Sequence, residues 1–388
     1  AKTHGLPPVA PMLLRQSVAA RWSRLASSSS STVAAAVATS GAAVPGERLI
    51  ALREALMDEG GAAPDRRRKP HQPKPDWLKV PMPGGADFQR LKKGLRSGKL
   101  ATVCEEAKCP NIGECWGSKK ETATATIMVM GDTCTRGCRF CNVKTARNPA
   151  PINPDEARST AETIASWDVG YVVITSVDRD DIPDGGASHF AEVIRTAKRL
   201  NPALLLECLT PDFNGTSGLA GVHLVANSGL DVYAHNIETV QRLQSTVRDR
   251  RAGYAESFRV LEHARAAREG HAQGPVVTKT SIMLGCGEEP AEVTQTMRDA
   301  LDAGVEIFTL GQYLRPSKKH MPVSRLVHPD EFDDFRQQGL AMGFKYVASG
   351  PLVRSSYKAG EAFIEGIVRR RQAEAPTLLG QRQVEAGQ

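Results

Sequence analysis

Six of the chain's eight cysteines lie between residues 104 and 141, in two groups of three. Cys104, Cys109 and Cys115 are spaced C-x4-C-x5-C, and Cys134, Cys138 and Cys141 are spaced C-x3-C-x2-C. Threes constrain a fold more than pairs do. Disulfides consume cysteines two at a time. A closed zinc site takes four ligands, commonly from two C-x2-C pairs, and Cys138–Cys141 has no second such pair. Three thiolates on a cubane iron–sulfur cluster leave one iron without a protein thiolate, an open position for a reactive ligand. The second group lies on the run Gly131-Asp-Thr-Cys-Thr-Arg-Gly-Cys-Arg-Phe-Cys141. Its glycines let a loop curl around a cluster, and Phe140 can screen one edge from water. Cys208 and Cys286 stand alone and read as small buried residues.

That loop follows the first of a series of β-branched runs that alternate with amphipathic stretches. Strands are expected at Thr124–Met130, Tyr171–Val177, Ala203–Leu209, Asp231–His235, Val276–Met283 and Val305–Gly311, with Tyr346–Ser349 a further strand outside the main set. Helices are expected around Pro154–Asp168, Phe190–Leu200, Tyr254–Glu269, Pro290–Ala303 and Pro329–Met342. The first has Asn153 as a cap, Pro154 at its start, Asp155 and Glu156 at the positive end of its dipole and Gly170 to stop it. Strands alternating with helices imply parallel pairing and an α/β class. Six units fit a partial (β/α)6 barrel, with a doubly wound sheet as the alternative. Polar, glycine-rich segments follow the strands, where either architecture places its active site.

Outside this core the composition changes. Residues 1–46 contain Lys2, Arg15, Arg21 and Arg24 but no Asp or Glu, and include the run Ser27–Ser31. Leu14, Val18, Trp22 and Leu25 share a helical face flanked by Arg15 and Arg24. This is transit-peptide chemistry, read as a mitochondrial matrix address, with a plastid address or an unaddressed Ala/Ser tail as alternatives. Much of the net charge of +7 sits in this leader, so the basic balance gives little reason to expect a nucleic-acid partner. Residues 47–85, with the basic run Arg66–Lys69 and prolines from Pro64 to Pro83, read as a flexible linker or N-terminal arm. Residues 371–388 read as a polar, disordered tail. The longest apolar stretches, such as 33–38 and 203–206, fall far short of the roughly 20 residues of a membrane helix, so no membrane partner is expected.

A C-x3-C-x2-C loop with an aromatic residue before its last cysteine, after the first strand of a (β/α) core, resembles the radical S-adenosylmethionine (SAM) enzymes. The upstream C-x4-C-x5-C narrows the resemblance to the lipoyl synthase family, of the plant mitochondrial type. Segments 176–187 (SVDRDDIPDGGA), 209–213 (LTPDF), 235–239 (HNIET), 311–317 (GQYLRPS) and 350–357 (GPLVRSSY) agree with it, over about residues 75–370. The resemblance implies a radical SAM partial barrel over 123–343, with extensions at 86–122 and 344–370 carrying an auxiliary cluster.

Two [4Fe–4S] clusters and SAM are the implied cofactors. Cys134, Cys138 and Cys141 would hold the cluster whose open iron is chelated by SAM, and electron transfer into the sulfonium would give a 5′-deoxyadenosyl radical. Cys104, Cys109 and Cys115 would hold the auxiliary cluster, with Ser356, the second serine of Arg354-Ser-Ser, as fourth ligand. From the residues alone Ser355 and Ser356 are plain turn hydroxyls. The implied reaction inserts sulfur from the auxiliary cluster at C6 and C8 of a protein-bound octanoyl-lysine, consuming two SAM molecules. Those carbons are unactivated, which explains why no acid/base dyad is conspicuous in the sequence.

Asp178 and Asp180, with Asp181 beside them, and Glu207 and Asn236 are candidate SAM-binding residues. A solvated acidic turn and structural polar roles remain open for them. Arg315, Lys318 and Lys319 suit either an acidic carrier domain or solvent. Arg354 suits a role steadying the serine-bearing turn. The implied partners are octanoylated carrier domains (the glycine cleavage H protein and E2 subunits of 2-oxoacid dehydrogenases), a reduced ferredoxin-type electron donor and an iron–sulfur carrier protein. The rival readings are a biotin synthase-like sulfur-inserting enzyme and a zinc-binding nucleic-acid module.

Overall fold

Strand order follows chain order from one edge of a single sheet to the other in the computed structural model of this chain. The structure describes residues 74–80, 83–97, 101–106, 109, 111–117, 125–166, 170–213, 218–268, 274–356 and 366–370. The leader, the linker up to residue 73, Tyr357 and the tail beyond 370 lie outside the described residues. The strands are β1 (Ala101–Thr102), β2 (Ala125–Val129), β3 (Tyr171–Ser176), β4 (Leu205–Leu209), β5 (Val232–Ala234), β6 (Val277–Leu284), β7 (Ile307–Gln312) and β8 (Tyr346–Gly350). β1 runs antiparallel to β2, and every other neighbouring pair is parallel. A doubly wound sheet reverses its strand order at a switch point. This sheet has none, which leaves the partial barrel.

The helices are α1 (Ala86–Ser97), α2 (Val103–Glu106), α3 (Ile112–Gly117), α4 (Glu156–Ser166), α5 (Ala187–Leu200), α6 (Leu219–Ala226), α7 (Gln244–Val247), α8 (Tyr254–Ala266), α9 (Pro290–Asp302) and α10 (Pro329–Met342). Their ends are chemically marked. A reciprocal capping box between Glu289 and Glu292, with Pro290 at the first position, starts α9. His328 accepts from the Asp330 N–H at the start of α10, and Gly343 closes that helix at φ 115°.

Successive strand residues face opposite ways. Ile127, Val172, Ile174, Leu206 and Cys208 pack beneath Ala161 and Ile164 of α4 and Phe190, Val193 and Ile194 of α5. Tyr171, Val173, Leu205, Val232, Val277 and Ile307 line the other face, where Ile367 and Val368 cover them. With both faces buried, the strands read as nearly continuous apolar runs.

Tyr346–Gly350 does not lie outside the main set. It pairs in parallel with β7, from Tyr346 opposite Ile307 to Gly350 opposite Gly311. The α10 helix returns the chain as in the preceding units, Phe344 and Val347 enter the same core as Phe308 and Leu310, and the Ser349 hydroxyl donates to the Phe332 carbonyl at 2.6 Å.

The upper rim, where the strands end, is crowded at one crossing. Met130 turns out of β2 at φ 67° and Gly186 enters α5 at φ 89°. A Cβ on Gly186 would lie 2.0 Å from the Met130 sulfur, whereas one on Gly131 (φ 85°) would meet nothing. Gly186→Ala should therefore cost backbone strain plus overpacking, about 3 kcal/mol, and Gly131→Ala strain alone, about 1–2 kcal/mol. Denaturant unfolding of the metal-free proteins checks this, and equal losses would contradict the steric account.

Candidate active site

Past Gly131 the chain closes a loop on itself. Thr133–Cys134 pairs with Lys144–Thr145, and the Ala146 N–H donates to the Cys134 carbonyl at 3.0 Å. Between these ends the loop carries Cys134, Cys138 and Cys141, all half-buried. What fixes it to the barrel is Arg136, only 4% exposed. Its guanidinium donates from Nη1 and Nη2 to Asp212 at 2.7 and 2.6 Å, and from Nη2 and Nε to Asp180 at 2.7 and 3.0 Å. Asp178 lies 3.5 Å away. Asp180 follows β3 and Asp212 follows β4, so one side chain ties the loop to two strand ends.

Thr135 adds its main-chain N–H to the Asp178 carbonyl at 3.0 Å and its hydroxyl to Asp180 at 2.7 Å. Burial pulls the Asp180 carboxyl upward, but hydrogen bonds from Arg136 and Thr135 outweigh it and leave the group below the usual carboxylate range. Burial of Asp178 wins over the nearby Arg136 and raises its carboxyl.

The thiols of the loop are adapted to a ligand rather than to water. Burial, with Asp178 adding for Cys134, pushes Cys134 and Cys138 up to about 12, and Cys141 rises for the same first reason. Two of the sulfurs accept main-chain donors, Cys134 from the Arg136 N–H at 3.4 Å and Cys138 from the Asp249 N–H at 3.3 Å. All eight cysteines are free. Among the described residues no three His, Cys, Asp or Glu side chains converge closely enough to hold a single metal ion. Buried thiols with N–H donors aimed at sulfur fit an iron–sulfur cluster, whose iron supplies the positive charge that ionises them.

Beside the loop, β5 continues into Asn236 and Glu238. Glu238 takes φ 69°, and its main chain bonds Ser281 and Met283 on β6 at 3.0 and 2.9 Å. Its carboxyl is raised by burial, and it accepts from Asn236 Nδ2 at 3.1 Å. The buried Asn236 Oδ1 has no hydrogen-bond partner. A strained backbone holding a buried carboxylate and an orphaned amide oxygen is suited to the donors of a polar ligand. The sequence pointed to Asn236 and missed Glu238, two residues away in the same segment and the same side-chain phase. Glu207 is set apart. It is 1% exposed, level with Val173 below the rim, and takes both Lys279 contacts at 2.9 Å and the Tyr171 hydroxyl at 2.8 Å.

The other three cysteines form a second site. Cys104 on α2, Cys109, and Cys115 on α3 pack with Phe88 of α1 and with Trp116, whose rings lie 5.4 Å apart. The Cys109 N–H donates to the Cys104 carbonyl at 3.0 Å, and burial raises the Cys104 thiol to about 11. The C-terminal motif reaches this group. Asn111 donates to the Leu352 carbonyl, and Arg354 lies near enough to Cys109 to oppose the upward push of burial on its thiol. Arg354 also donates to the carbonyls of Val353 and Gln312 at 2.7 and 3.3 Å, and Gly311 is required there because a Cβ would lie 2.0 Å from the Val353 oxygen. Ser355 and Ser356 follow, half-buried. The two cysteine sites adjoin, since Asn142 donates to the Glu106 carbonyl at 3.1 Å.

The basic segment after β7 also meets the loop. His320 Nε2 donates to the Cys141 carbonyl at 2.9 Å, while Nδ1 accepts from Ser317 Oγ at 2.9 Å. Arg315 is spent on carbonyls of its own segment, leaving Lys318 and Lys319 facing solvent.

The radical SAM superfamily model matches residues 128–300, and a model for the N-terminal domain of lipoyl synthase of the radical SAM family matches 54–109. The mitochondrial lipoyl synthase of Arabidopsis thaliana is 54% identical over 342 residues, covering 85% of this chain and 90% of its own. The chain belongs to the lipoyl synthase family. Mitochondrial lipoyl synthases of Meyerozyma guilliermondii and Vitis vinifera are each 57% identical, covering 80% and 82% of this chain and 80% and 79% of theirs. Among solved structures, methylornithine synthase aligns with a TM-score of 0.44 at 12% identity, over 65% of this chain and 68% of its own. Membership makes the chain a sulfur-inserting radical SAM enzyme that uses a [4Fe–4S] cluster and SAM, and disfavours the biotin synthase-like and zinc-module readings.

The raised thiols have a consequence for the metal-free lipoyl synthase fold. Unfolded thiols ionise near 9.0, whereas Cys134 and Cys138 hold their protons to about 12. Over that interval the unfolded chain releases protons that the folded chain retains, so stability falls as pH rises from about 9 to about 12. The double variant Cys134→Ala/Cys138→Ala should lose less over the same range in urea titrations. Parallel declines would contradict the assigned shifts.

Proposed function

We propose that this chain inserts sulfur at C6 and C8 of an octanoyl group borne on a lysine of a lipoyl carrier domain, working with two clusters held by separate cysteine triads. The observation that carries this reading is the adjacency of two three-thiol sites, linked through Asn142 and Glu106, with the Arg354-Ser-Ser turn drawn up to the site of Cys104, Cys109 and Cys115. Bound at Cys134, Cys138 and Cys141, a [4Fe–4S] cluster with SAM supplies the one-electron chemistry that activates an inert C–H bond, and a second cluster at Cys104, Cys109, Cys115 and Ser356 supplies the sulfur.

The chain's own residues hold, orient and shield. Arg136 locks the loop to Asp180 and Asp212, so Asp180 serves the cofactor indirectly. Asp178 receives Thr135 through its main chain and stands beside Cys134, at 3.6 Å from its sulfur. Asn236 and Glu238 offer acceptors to the ammonium or ribose hydroxyls of SAM. Glu207 keeps Lys279 and Tyr171 paired inside the barrel. Phe140 and Met130 shield the loop, and Phe88 and Trp116 shield the second triad. A serine oxygen is a harder and poorer match to iron than thiolate, which suits Ser356 to release when the second site gives up sulfur.

Lys318 and Lys319 meet an acidic carrier domain, of the glycine cleavage H protein or of an E2 subunit. Loss of sulfur from the second site requires an iron–sulfur carrier to rebuild it, and a ferredoxin-type donor provides the electrons. A mitochondrial location is supported by the names of the relatives and by the leader's composition.

The division of labour is testable by anaerobic assay. Cys134→Ala should abolish 5′-deoxyadenosine formation, whereas Cys104→Ala and Ser356→Ala should retain cofactor cleavage, with Cys104→Ala giving no lipoyl product. Equal loss of cleavage in the Cys134 and Cys104 variants would contradict the assignment.

A further inference from the structure

Segment 246–251, the end of α7 and the turn after it, contains none of the residues singled out in the sequence, yet it grips the cysteine loop along its length. The Val247 carbonyl accepts the Arg139 N–H at 2.9 Å, and the Thr246 carbonyl accepts from the Arg139 side chain at 3.3 Å. Asp249 holds the loop twice. Its main-chain N–H donates to Cys138 Sγ at 3.3 Å, and its carboxylate accepts the Gly137 N–H at 2.9 Å. Arg251 braces that carboxylate at 2.8 Å, pairs with Asp180 at 3.0 Å and donates to the Thr135 carbonyl at 2.7 Å.

The segment is itself anchored from behind. Arg248 is buried and donates to Ser257 Oγ, Gln244 Oε1 and the Ile237 carbonyl at 2.8, 3.1 and 3.3 Å, while Gln244 donates to the carbonyls of Ile237 and Thr239 at 3.1 and 2.6 Å. The grip therefore runs from the extension of β5 to the sulfur of Cys138. Arg251 and the Gly137 N–H keep the Asp249 carboxyl ionised and well below the usual range, against the opposing effect of its partial burial.

We propose that Asp249 is a positioning residue of the radical SAM site, whose main-chain N–H, held in register by its carboxylate's grip on Gly137, raises the reduction potential of the cluster bound at Cys134, Cys138 and Cys141. This rests on the cluster reading given above. Donors to a cluster sulfur stabilise the reduced, more negative state and shift the potential upward. The Arg136 N–H on Cys134 belongs to the loop and moves with it. The Asp249 N–H comes from another element and fixes the loop relative to the barrel, so its loss changes both the hydrogen bond and the loop's mobility.

Two variants separate geometry from charge. Asp249→Asn and Asp249→Ala both remove the carboxylate charge, but only Asn retains an acceptor for the Gly137 N–H. In the full chain, reconstituted anaerobically, the midpoint potential is read by titrating the paramagnetic signal that responds to SAM. The Ala variant should lie below the Asn variant. In the metal-free protein, hydrogen exchange of the peptide 135–141 should be up to about tenfold faster in Ala than in Asn, the opening that loss of one neutral hydrogen bond permits. Arg251→Gln, which keeps the carboxylate and removes its brace, is the second variant if Asp249→Ala does not fold, and its exchange should exceed that of the unmodified chain.

Equal potentials in the Asn and Ala variants, or equal exchange of that peptide across the set, overturn the proposal. A chain that binds no SAM-responsive cluster at all would instead overturn the cluster reading, and the exchange measurement, which needs no metal, keeps the two failures apart.

Discussion

A guanidinium forked between two carboxylates is the fastening on which the rest of this site depends. The cysteine loop packs Cys134, Phe140 and Val143 against the apolar cores, and such contacts do not by themselves fix its direction on the barrel rim. Arg136 does so instead, reaching Asp180 behind β3 and Asp212 behind β4 with contacts of 2.6–2.7 Å. Such a buried pair contributes little net stability relative to apolar side chains, yet removing one member costs about 3–5 kcal/mol because the other is left charged and buried. Its contribution is geometric: bidentate contacts fix direction as well as distance. Once the loop is fixed, the Cys134 and Cys138 sulfurs receive main-chain donors, and burial keeps their thiols neutral until a cationic partner arrives.

The second triad is held by a different means. Its three cysteines share a small apolar cluster with Phe88 and Trp116, formed by short helices beside the antiparallel edge strand β1. That cluster is fastened to both ends of the barrel sequence, through Asn142 to the first loop and through Asn111 and Arg354 to the turn after β8. Because β8 is the last parallel strand of the sheet, the turn leaving it carries Arg354, Ser355 and Ser356 out over the rim. The main-sheet pairing of Tyr346–Gly350 is thus part of what brings a distant serine motif toward Cys109.

Local chemistry was legible in the sequence and long-range pairing was not. Cysteine spacing identified both triads, and β-branched runs located the six strands of the main set within a few residues. The expected helices Pro290–Ala303 and Pro329–Met342 end within a residue of α9 and α10, whose caps are local features of the chain. Arg136, Asp212, Asp249 and His320 escaped notice because their roles exist only between segments tens of residues apart; a lone Arg inside a cysteine loop looks like a solvated charge. Glu207 shows the converse case, where the sequence leaves a ligand role and a structural polar role both open. A carboxylate near a strand end suggests a ligand, but one with Lys279 and Tyr171 opposite has its partners already. Tyr346–Ser349 reads from the sequence as outside the main set because a short strand with polar positions carries a weak signal until α10 shows where it packs.

The central claim is that a cluster held by the second triad would give up its sulfide while one held by the first starts the reaction. The most direct measurement loads the chain with clusters containing isotopically heavy sulfide, supplies SAM, reductant and an octanoyl-lysine carrier peptide, and weighs the product of a single anaerobic turnover in an excess of light sulfide. The account predicts lipoyl-lysine carrying heavy sulfur at both positions, with sulfide lost from the protein. Product carrying light sulfur while the protein keeps its label would contradict it.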